Sequence, residues 1–202
     1  MKYYKDLCGI MLKTRGARFI AASTLETKER FSVGTMAFLS TYLMAVAVWQ
    51  IAIPGLFDDK TTQIYGAISV VASVSLLVLT LLDFAYGRSV KSEKLHQNAI
   101  KISMLMRQLE RELQKPSPDV LNMQNLAAEY EKEIAETQIN HTEADYQKHL
   151  LQRADRSTGW NRVLNDVKLR WLTFSDYAKS LWAHVTIVLL VIGLTYWNMP
   201  GG

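Results

Sequence analysis

The chain has 202 residues, a formal net charge of +4 and a single cysteine, Cys8, which excludes an internal disulfide. Its mean hydropathy is near zero because long apolar runs and a polar region offset each other, so the mean says little about either. Because basic and acidic side chains are almost equally frequent from Asp83 to Lys179, that region has no basic stripe, and we expect no direct contact with nucleic acid.

Apolar and charged side chains alternate from Met1 to Lys13, and residues 1–30 as a whole predict an amphipathic cytoplasmic approach helix at the membrane interface. No uninterrupted apolar core precedes a small-residue cleavage pattern, so a cleaved signal peptide is not expected. The simplest interpretation of Arg15-Gly16-Ala17-Arg18 is membrane anchoring; a break in this helix and a binding site for lipid phosphates are the alternatives.

Two runs without a charged side chain follow, from Phe31 to Phe57 and from Thr61 to Leu82. About 20 helical residues cross a hydrocarbon core of roughly 30 Å, so each run is long enough to span a bilayer. The Pro54-Gly55 pair predicts a break between them and hence a two-span hairpin over residues 31–82. A third run, from Leu181 to Met199, predicts another span within residues 180–202. The predicted fold class is an all-α membrane protein with a long helical extension after the hairpin.

The distribution of charge predicts the orientation of these spans. Basic residues outnumber acidic ones before the first span, and three more, Arg88, Lys91 and Lys94, follow the second. The positive-inside rule therefore places the N-terminus and the region after the hairpin in the cytoplasm, and the C-terminus outside.

Small and polar residues recur at helical spacing in both spans of the hairpin. Such faces allow close approach of helices in lipid, which offers no hydrophobic drive for association. One interpretation is packing within the hairpin; the other is an oligomer in which polar residues line a weakly selective pore. The pore-lining or packing candidates are Gly34, Ala37, Thr41, Gln50, Gly66, Ser69, Ser73 and Thr80.

Residues 83–179 predict a cytoplasmic helical module. Asp83 lies where the second span ends, with Arg88 as its candidate partner; a proton or ion site is the alternative. The apolar periodicity from Arg88 to Lys115 predicts a long helix that continues the second span. Pro116-Ser117-Pro118 ends that helix, and Asp119 caps a second one that packs antiparallel to it.

Thr142 and Asp145 resemble a capping box and predict that another helix begins there. A catalytic alternative would use His141 and Asp145 as acid and base. The sequence has no phosphate loop, paired-cysteine metal signature or nucleophile elbow, so we predict no metal, no cofactor and no enzymatic activity.

Apolar side chains recur at three and four residues between Trp160 and Phe174. This stripe either covers the helical pair or lies at the lipid headgroups, where indole rings are favoured. Its largest members, Trp160, Trp171 and Phe174, are the candidate partner-facing residues.

Four features of the chain resemble the SLATT family of two-span membrane effectors. They are the pre-membrane stretch RGARFIAASTLETK, which begins at Arg15; the charge-free hairpin with its short outer loop; the Lys94-Leu95-His96 helix; and the element formed by Glu129-Tyr130, Asn140-His141 and Asp145-Tyr146. The last is the most specific, and the resemblance covers about residues 1–156. The third span resembles an addition found in some members, among them a branch associated with reverse transcriptases.

The resemblance implies an effector of a bacterial anti-phage or conflict system. Such a protein would oligomerise in the inner membrane and disrupt it, killing or arresting the cell, when a partner signals. The implied partners are the lipid bilayer, further copies of the chain, and a signalling component such as the product of a nucleotide synthetase, a nucleotide sensor or a reverse-transcriptase complex. A membrane-anchored scaffold that recruits a soluble partner through its cytoplasmic helices is the alternative function.

Overall fold

The computed structural model describes residues 1–53, 58–137, 142–154 and 160–198. These ranges form six helices and their connections, with no strand among them, which confirms the predicted all-α class. Three helical stretches are long and apolar enough to cross a membrane. The helices are α1 (Lys2–Ala52), α2 (Asp59–Tyr86), α3 (Arg88–Leu113), α4 (Val120–Glu136), α5 (Glu143–Ala154) and α6 (Trp160–Trp197).

The chain divides into two compact units. We call them the helical unit (Met1–Glu26 and Ser89–Asp176) and the span unit (Thr27–Arg88 and Tyr177–Gly202). Because α1 is a single helix, its first residues belong to the helical unit and its remainder to the span unit. The Arg15-Gly16-Ala17-Arg18 stretch therefore causes no break.

The helical unit has an apolar core formed by the start of α1 together with α3 and α4. Leu7 and Met11 are buried there beside Ile102, so these side chains contact protein, in contrast to the expected interfacial position. A second cluster joins Ala21 and Ala22 of α1 to Leu95 of α3. Burial raises the pKa of the Cys8 thiol, which packs at the edge of the first cluster and stays protonated at neutral pH.

The caps of this unit agree with the sequence. α3 ends at Leu113, before Pro116-Ser117-Pro118, and the Asp119 carboxylate accepts hydrogen bonds from the Leu121 and Asn122 amides at 2.9 and 3.2 Å. The predicted capping box at the start of α5 is also present. Thr142 Oγ1 donates to Asp145 Oδ2 at 2.7 Å, and the Asp145 amide donates to Thr142 Oγ1 at 3.3 Å.

Gly16 has a steric role in the helical unit. The imidazole of His149, on α5, lies where a side chain at position 16 would begin, so a Cβ atom there would collide with the ring. Glycine has a low helix propensity, but here it permits the close approach of α5 to α1.

One prediction about the module is wrong. α3 does not continue the second span without interruption, because Gly87 adopts the left-handed conformation with φ of 57° and caps α2. Its amide contacts the carbonyls of Asp83 and Phe84 at 3.2 Å, which is the usual way to end a helix. α3 begins at the next residue.

The span unit packs parts of α1, α2 and α6 together. Its core centres on Leu39, Ala72 and Val191, one residue from each helix. Tyr65 Oη on α2 donates to the Thr195 carbonyl on α6 at 2.9 Å. Most of the other large apolar side chains in this unit point outward, as expected for helices that face lipid.

Candidate functional site

Polar side chains from four helices converge in the span unit. Ser32 lies on α1, Asp83 near the end of α2, Arg88 at the start of α3 and His184 on α6. All four are less than 10% exposed. We call this group the polar cluster.

The Asp83 carboxylate is the centre of the polar cluster. Its Oδ1 accepts a hydrogen bond from Arg88 Nη1 at 2.6 Å, which confirms Arg88 as the partner predicted from sequence. Its Oδ2 accepts a hydrogen bond from Ser32 Oγ and lies 3.4 Å from His184 Nε2. His184 Nε2 is in turn 2.5 Å from Ser32 Oγ. Arg88 Nη2 also donates to Ser180 Oγ at 3.4 Å, so one guanidinium contacts α2 and α6.

Two aromatic contacts flank the polar cluster. The Arg88 guanidinium lies 4.9 Å from the Tyr86 ring centroid, and Lys28 Nζ lies 5.9 Å from the ring of Tyr177. Positive charges at such distances interact favourably with the faces of aromatic rings. Arg88 therefore contacts both Asp83 and the Tyr86 ring, and Lys28 lies over the Tyr177 ring.

The polar cluster contains the residue types of a serine hydrolase triad but not its geometry. In a triad, the carboxylate binds Nδ1 of the imidazole and the serine binds Nε2. Here Asp83 and Ser32 both contact Nε2, they contact each other directly, and Nδ1 of His184 is buried without a hydrogen-bond partner. The arrangement connects helices; it does not orient a nucleophile. Within the described ranges, no group of three or more acidic, histidine or cysteine side chains could hold a metal ion.

The sequence analysis did not predict that Ser32 and His184 contact Asp83. Ser32 lies 51 residues before Asp83 and 152 before His184, so no local spacing relates them. The available signal was that His184 is the only side chain in the third apolar run whose ordinary pKa lies near neutral pH. A polar group inside a span requires a partner on another span, and Asp83, at the end of the second span, is an acidic residue that could serve as one.

The small and polar candidates of the hairpin lie mostly on the outside of the span unit. Ser69 and Gln50 are partly buried, and the remaining six, Gly34, Ala37, Thr41, Gly66, Ser73 and Thr80, are exposed. No atom lies within 4 Å of a Cβ added at Gly34 or Gly66, apart from their own helix. Bulkier residues such as Leu39 and Leu79 are buried in the unit instead. Packing within the hairpin and packing against other copies of the chain both stay predictions for these faces.

The exposed hydroxyls of these faces donate to carbonyls of their own helices, and Thr80 also contacts Met36 Sδ on α1 at 3.3 Å. Thr41 donates to the Ala37 carbonyl at 2.9 Å, Ser73 to the Ser69 carbonyl at 2.7 Å and Thr80 to the Leu76 carbonyl at 2.8 Å. A hydroxyl bonded in this way can face lipid at little cost, and it retains lone pairs for another helix or for water.

The family-motif and partner-facing candidates lie elsewhere. Asp145 is buried as the capping residue of α5, Tyr146 and Arg15 are partly buried, and Asn140 and His141 lie outside the described residues. Trp171 and Phe174 are 68% and 65% exposed, so this stripe does not cover the helical pair. Trp160 begins α6, but its side chain is outside the described part of the structure.

Comparison with known families gives one match. The sequence model described as the SMODS and SLOG-associating 2TM effector domain family 5 matches residues 2–197. The match extends through α6, so the third apolar helix lies inside the family's own boundaries. Neither the curated proteins nor the solved structures contain a significant match.

Proposed function

Because the chain belongs to SMODS and SLOG-associating 2TM effector domain family 5, we propose that it is a pore-forming or membrane-disrupting effector. In this proposal, it assembles as a homo-oligomer in a bacterial inner membrane, with the helical unit in the cytoplasm. A signal or partner releases it during phage attack or a related conflict, and the breached membrane kills or arrests the cell.

The observation that carries the proposal is the outward direction of the small and polar faces. In a unit that functions alone, lipid-facing positions have no need of glycine, serine or threonine. Here Thr41 and Ser73 are exposed, while the apolar Leu39 and Ala72 occupy the core. Outward faces of this kind allow neighbouring copies to approach closely and offer water a polar path between them.

A groove on the span unit supports the same proposal. It has a volume of about 340 Å³ between α1 and α6 and is lined by Phe31, Gly34, Thr35, Phe38, Val185, Val188 and Leu189. Gly34 therefore lies in a recess with apolar walls, which suits insertion of a side chain from another copy.

The polar cluster has a structural role in this proposal. Asp83, Arg88 and His184 fix one end of the three apolar helices to one another, so that the unit moves as a body when subunits assemble. A buried ion pair contributes specificity of arrangement more than stability, which fits a protein that must hold a defined resting state.

The proposal is tested by membrane potential and propidium uptake after induced expression in bacteria. Wild type is compared with the double variant Ser69→Leu, Ser73→Leu and with the control Val70→Leu, Val74→Leu, which also changes two neighbouring α2 positions. Both control residues are exposed, at 65% and 56%. We expect depolarisation with wild type and control and at least a tenfold loss of dye uptake in the serine variant. Equal leakage in all three proteins would exclude α2 as a pore wall.

A membrane-anchored scaffold is the second candidate, favoured by the exposed Trp171 and Phe174. Large exposed aromatic side chains are typical anchors of protein interfaces. Exchanging residues 31–82 for an unrelated two-span hairpin separates the two functions. A scaffold would retain its activity after the exchange, whereas a pore-forming effector would lose it.

A further inference from the structure

The groove between α1 and α6 lies at a defined depth in the span unit. Ser32, Asp83 and His184 contact one another in the polar cluster, so they mark one level on α1, α2 and α6. The walls of the groove run from Phe31 to Phe38 on α1 and from Val185 to Leu189 on α6. At about 1.5 Å per residue, the groove extends about 9 Å from this level along α1 and about 7.5 Å along α6.

The walls of the groove offer nothing to a charged or polar ligand. All the residues that line it are uncharged, and Thr35, the only hydroxyl among them, donates a hydrogen bond to the Phe31 carbonyl at 2.8 Å. An apolar cavity of about 150 Å³ accepts one benzene-sized group. The groove, with a volume of about 340 Å³, therefore has room for about two large apolar side chains.

A ridge of apolar side chains lies on the opposite side of the span unit. Ala72 of α2 packs against α1 and α6 in the core, and Leu79, two turns further on, is buried on the same face. Leu77 and Leu81 are each two residues from Leu79, a rotation of about 200°, so they point away from the core. With Val78 they are 48–60% exposed. We call Leu77, Val78 and Leu81 the α2 ridge.

The α2 ridge and the groove lie at the same depth. Leu81 is two residues from Asp83, and Gly34 is two residues from Ser32, so both lie about 3 Å from the level of the polar cluster. Leu77 is six residues from Asp83, about 9 Å away, which is where the groove ends on α1. Copies that enter one bilayer in the same orientation therefore present ridge and groove to each other without a shift in depth.

The two surfaces are also electrostatically complementary where they pass the polar cluster. Phe84, one residue beyond Asp83 on α2, is 88% exposed. On the groove side, the exposed Arg30 lies two residues before Ser32. A ridge seated in the groove brings the Phe84 ring to the level of the Arg30 guanidinium of the neighbouring copy, and cations interact favourably with aromatic faces. A lipid acyl chain has no group that matches this cation, so the pair favours a second copy as the occupant.

We propose that the α2 ridge of one copy packs into the groove between α1 and α6 of the next, in a head-to-tail contact that repeats around a ring. This inference rests on the proposed homo-oligomer and names the two surfaces that meet in it. Side-chain ridges of one helix commonly pack into grooves of others. Because ridge and groove lie on different sides of the unit, each copy joins two neighbours, and rotation about the membrane normal closes the ring. Pairing of groove with groove would join two concave surfaces and leave a void.

Cysteine cross-linking between copies of different size tests this contact. In a Cys8→Ala background, a chain with Gly34→Cys is co-expressed with a longer, epitope-tagged chain with Leu81→Cys, and membranes are treated with an oxidant. The control pair combines Gly34→Cys with Val70→Cys, because Val70 lies on the same face of α2 as Leu81 but about 16 Å away along the helix. We expect a mixed-size dimer at a yield at least about fivefold above the control, since a disulfide requires Cα atoms within about 7 Å.

A second pair tests the other wall of the groove. Leu189→Cys on α6 and Leu77→Cys on α2 lie at about the same depth, and we expect them to cross-link between copies as well. All four altered positions are exposed, so these variants retain the buried core. Each variant expressed alone should form no dimer. Dimers from Gly34→Cys alone would show that groove meets groove and would overturn the proposal.

An amine-reactive cross-linker applied to wild type measures assembly without cysteines. Mixed-size dimers above the control in either pair support the contact, even if the dye-uptake assay shows no leakage and the proposed function fails. Oligomers without a mixed disulfide in either pair would overturn the contact and leave the proposed homo-oligomer in place. Neither oligomers nor disulfides would overturn both and would identify lipid as the occupant of the groove.

Discussion

The helical unit and the span unit differ in which side chains they bury and which they expose. The helical unit covers a continuous set of large apolar side chains, including Met11, Ile102 and Met123, with charged residues on its outside. The span unit buries a few separate large side chains, among them Leu39, Tyr65 and Leu79, and it exposes valine, leucine and phenylalanine over most of its surface. The first is the pattern of a domain that folds in water; the second requires lipid or further copies of the chain around it.

Polar groups are also used differently in the two units. In the span unit, Asp83 meets Arg88, Ser32 and His184, so the buried carboxylate has several partners. In the helical unit, the Nε and Nη1 atoms of the buried Arg18 have no hydrogen-bond partner among the described residues. The comparison shows that the buried charge of the span unit has a direct counter-ion, Arg88, whereas two nitrogens of the buried charge of the helical unit have no hydrogen-bond partner in the described part of the chain.

The largest expected effect breaks the polar cluster. Asp83→Asn removes the counter-charge of a buried arginine and should destabilise the span unit by about 3–5 kcal/mol. Asp59→Asn, at the exposed start of the same helix, is the control and should change stability by less than about 0.5 kcal/mol. Unfolding in mixed detergent and sodium dodecyl sulfate measures both. Similar curves for the two variants would mean that the Asp83 ion pair does not hold the helices together.

Truncation of one core residue in each unit sharpens the comparison. Met11→Ala should destabilise the helical unit by about 2–5 kcal/mol. The variant loses the free energy of transferring the side chain out of water, and it leaves a cavity in the core. Leu39→Ala should cost less, because lipid is as apolar as the core and only the packing is lost. Amide hydrogen exchange of the full chain in nanodiscs, followed separately in each unit, measures the two losses of stability. A larger loss for Leu39→Ala would remove the distinction between a water-driven and a lipid-embedded core.

A glycine pair on α1 tests packing within the helical unit. Gly16→Ala should destabilise it by about 1–3 kcal/mol, because the new methyl group collides with the His149 ring. Gly9→Ala meets no atom within 4 Å and should stabilise it by about 0.5–1 kcal/mol through helix propensity. Thermal unfolding measures both variants. Effects of the same sign would show that α5 does not pack closely on α1.

The smallest effect concerns pH. Glu112 accepts hydrogen bonds from Lys115 Nζ, the Asp119 amide and Asn122 Nδ2, and these hold its pKa below the usual 4.5. A lowered pKa stabilises the fold above the unfolded value, and this contribution disappears as the pH falls through the folded value. Glu112→Gln should therefore flatten the loss of helical-unit stability below about pH 5, measured by urea unfolding. Glu110→Gln, an exposed neighbour, should retain the wild-type slope.

Much of the architecture was predictable because its signals are local. Charge-free runs specify the spans, Asp119 and Thr142 specify helix starts, and Asp83 needed a partner within a turn or so, which Arg88 supplies. Such features depend on residues close together in the chain, where helix geometry leaves few alternatives.

The direction in which the span faces point was not predictable in the same way. In water, polarity separates the inside of a helix from its outside, but lipid is as apolar as a protein core. From the sequence, Gly34 and Gly66 are therefore compatible with a face that packs inside the unit and with a face that points to lipid. The contact of His149 with Gly16 also depends on distant segments and left no local signal.

Cysteine cross-linking in native membranes tests the central claim that the outward faces of the spans meet other copies. In a Cys8→Ala background, single cysteines at Thr41 and Ser73 probe the exposed faces, and cysteines at Leu39 and Ala72 probe the core. We predict oxidant-dependent dimers from Thr41→Cys and Ser73→Cys and none from Leu39→Cys and Ala72→Cys. Dimers from the core positions alone, or from no position, would contradict it.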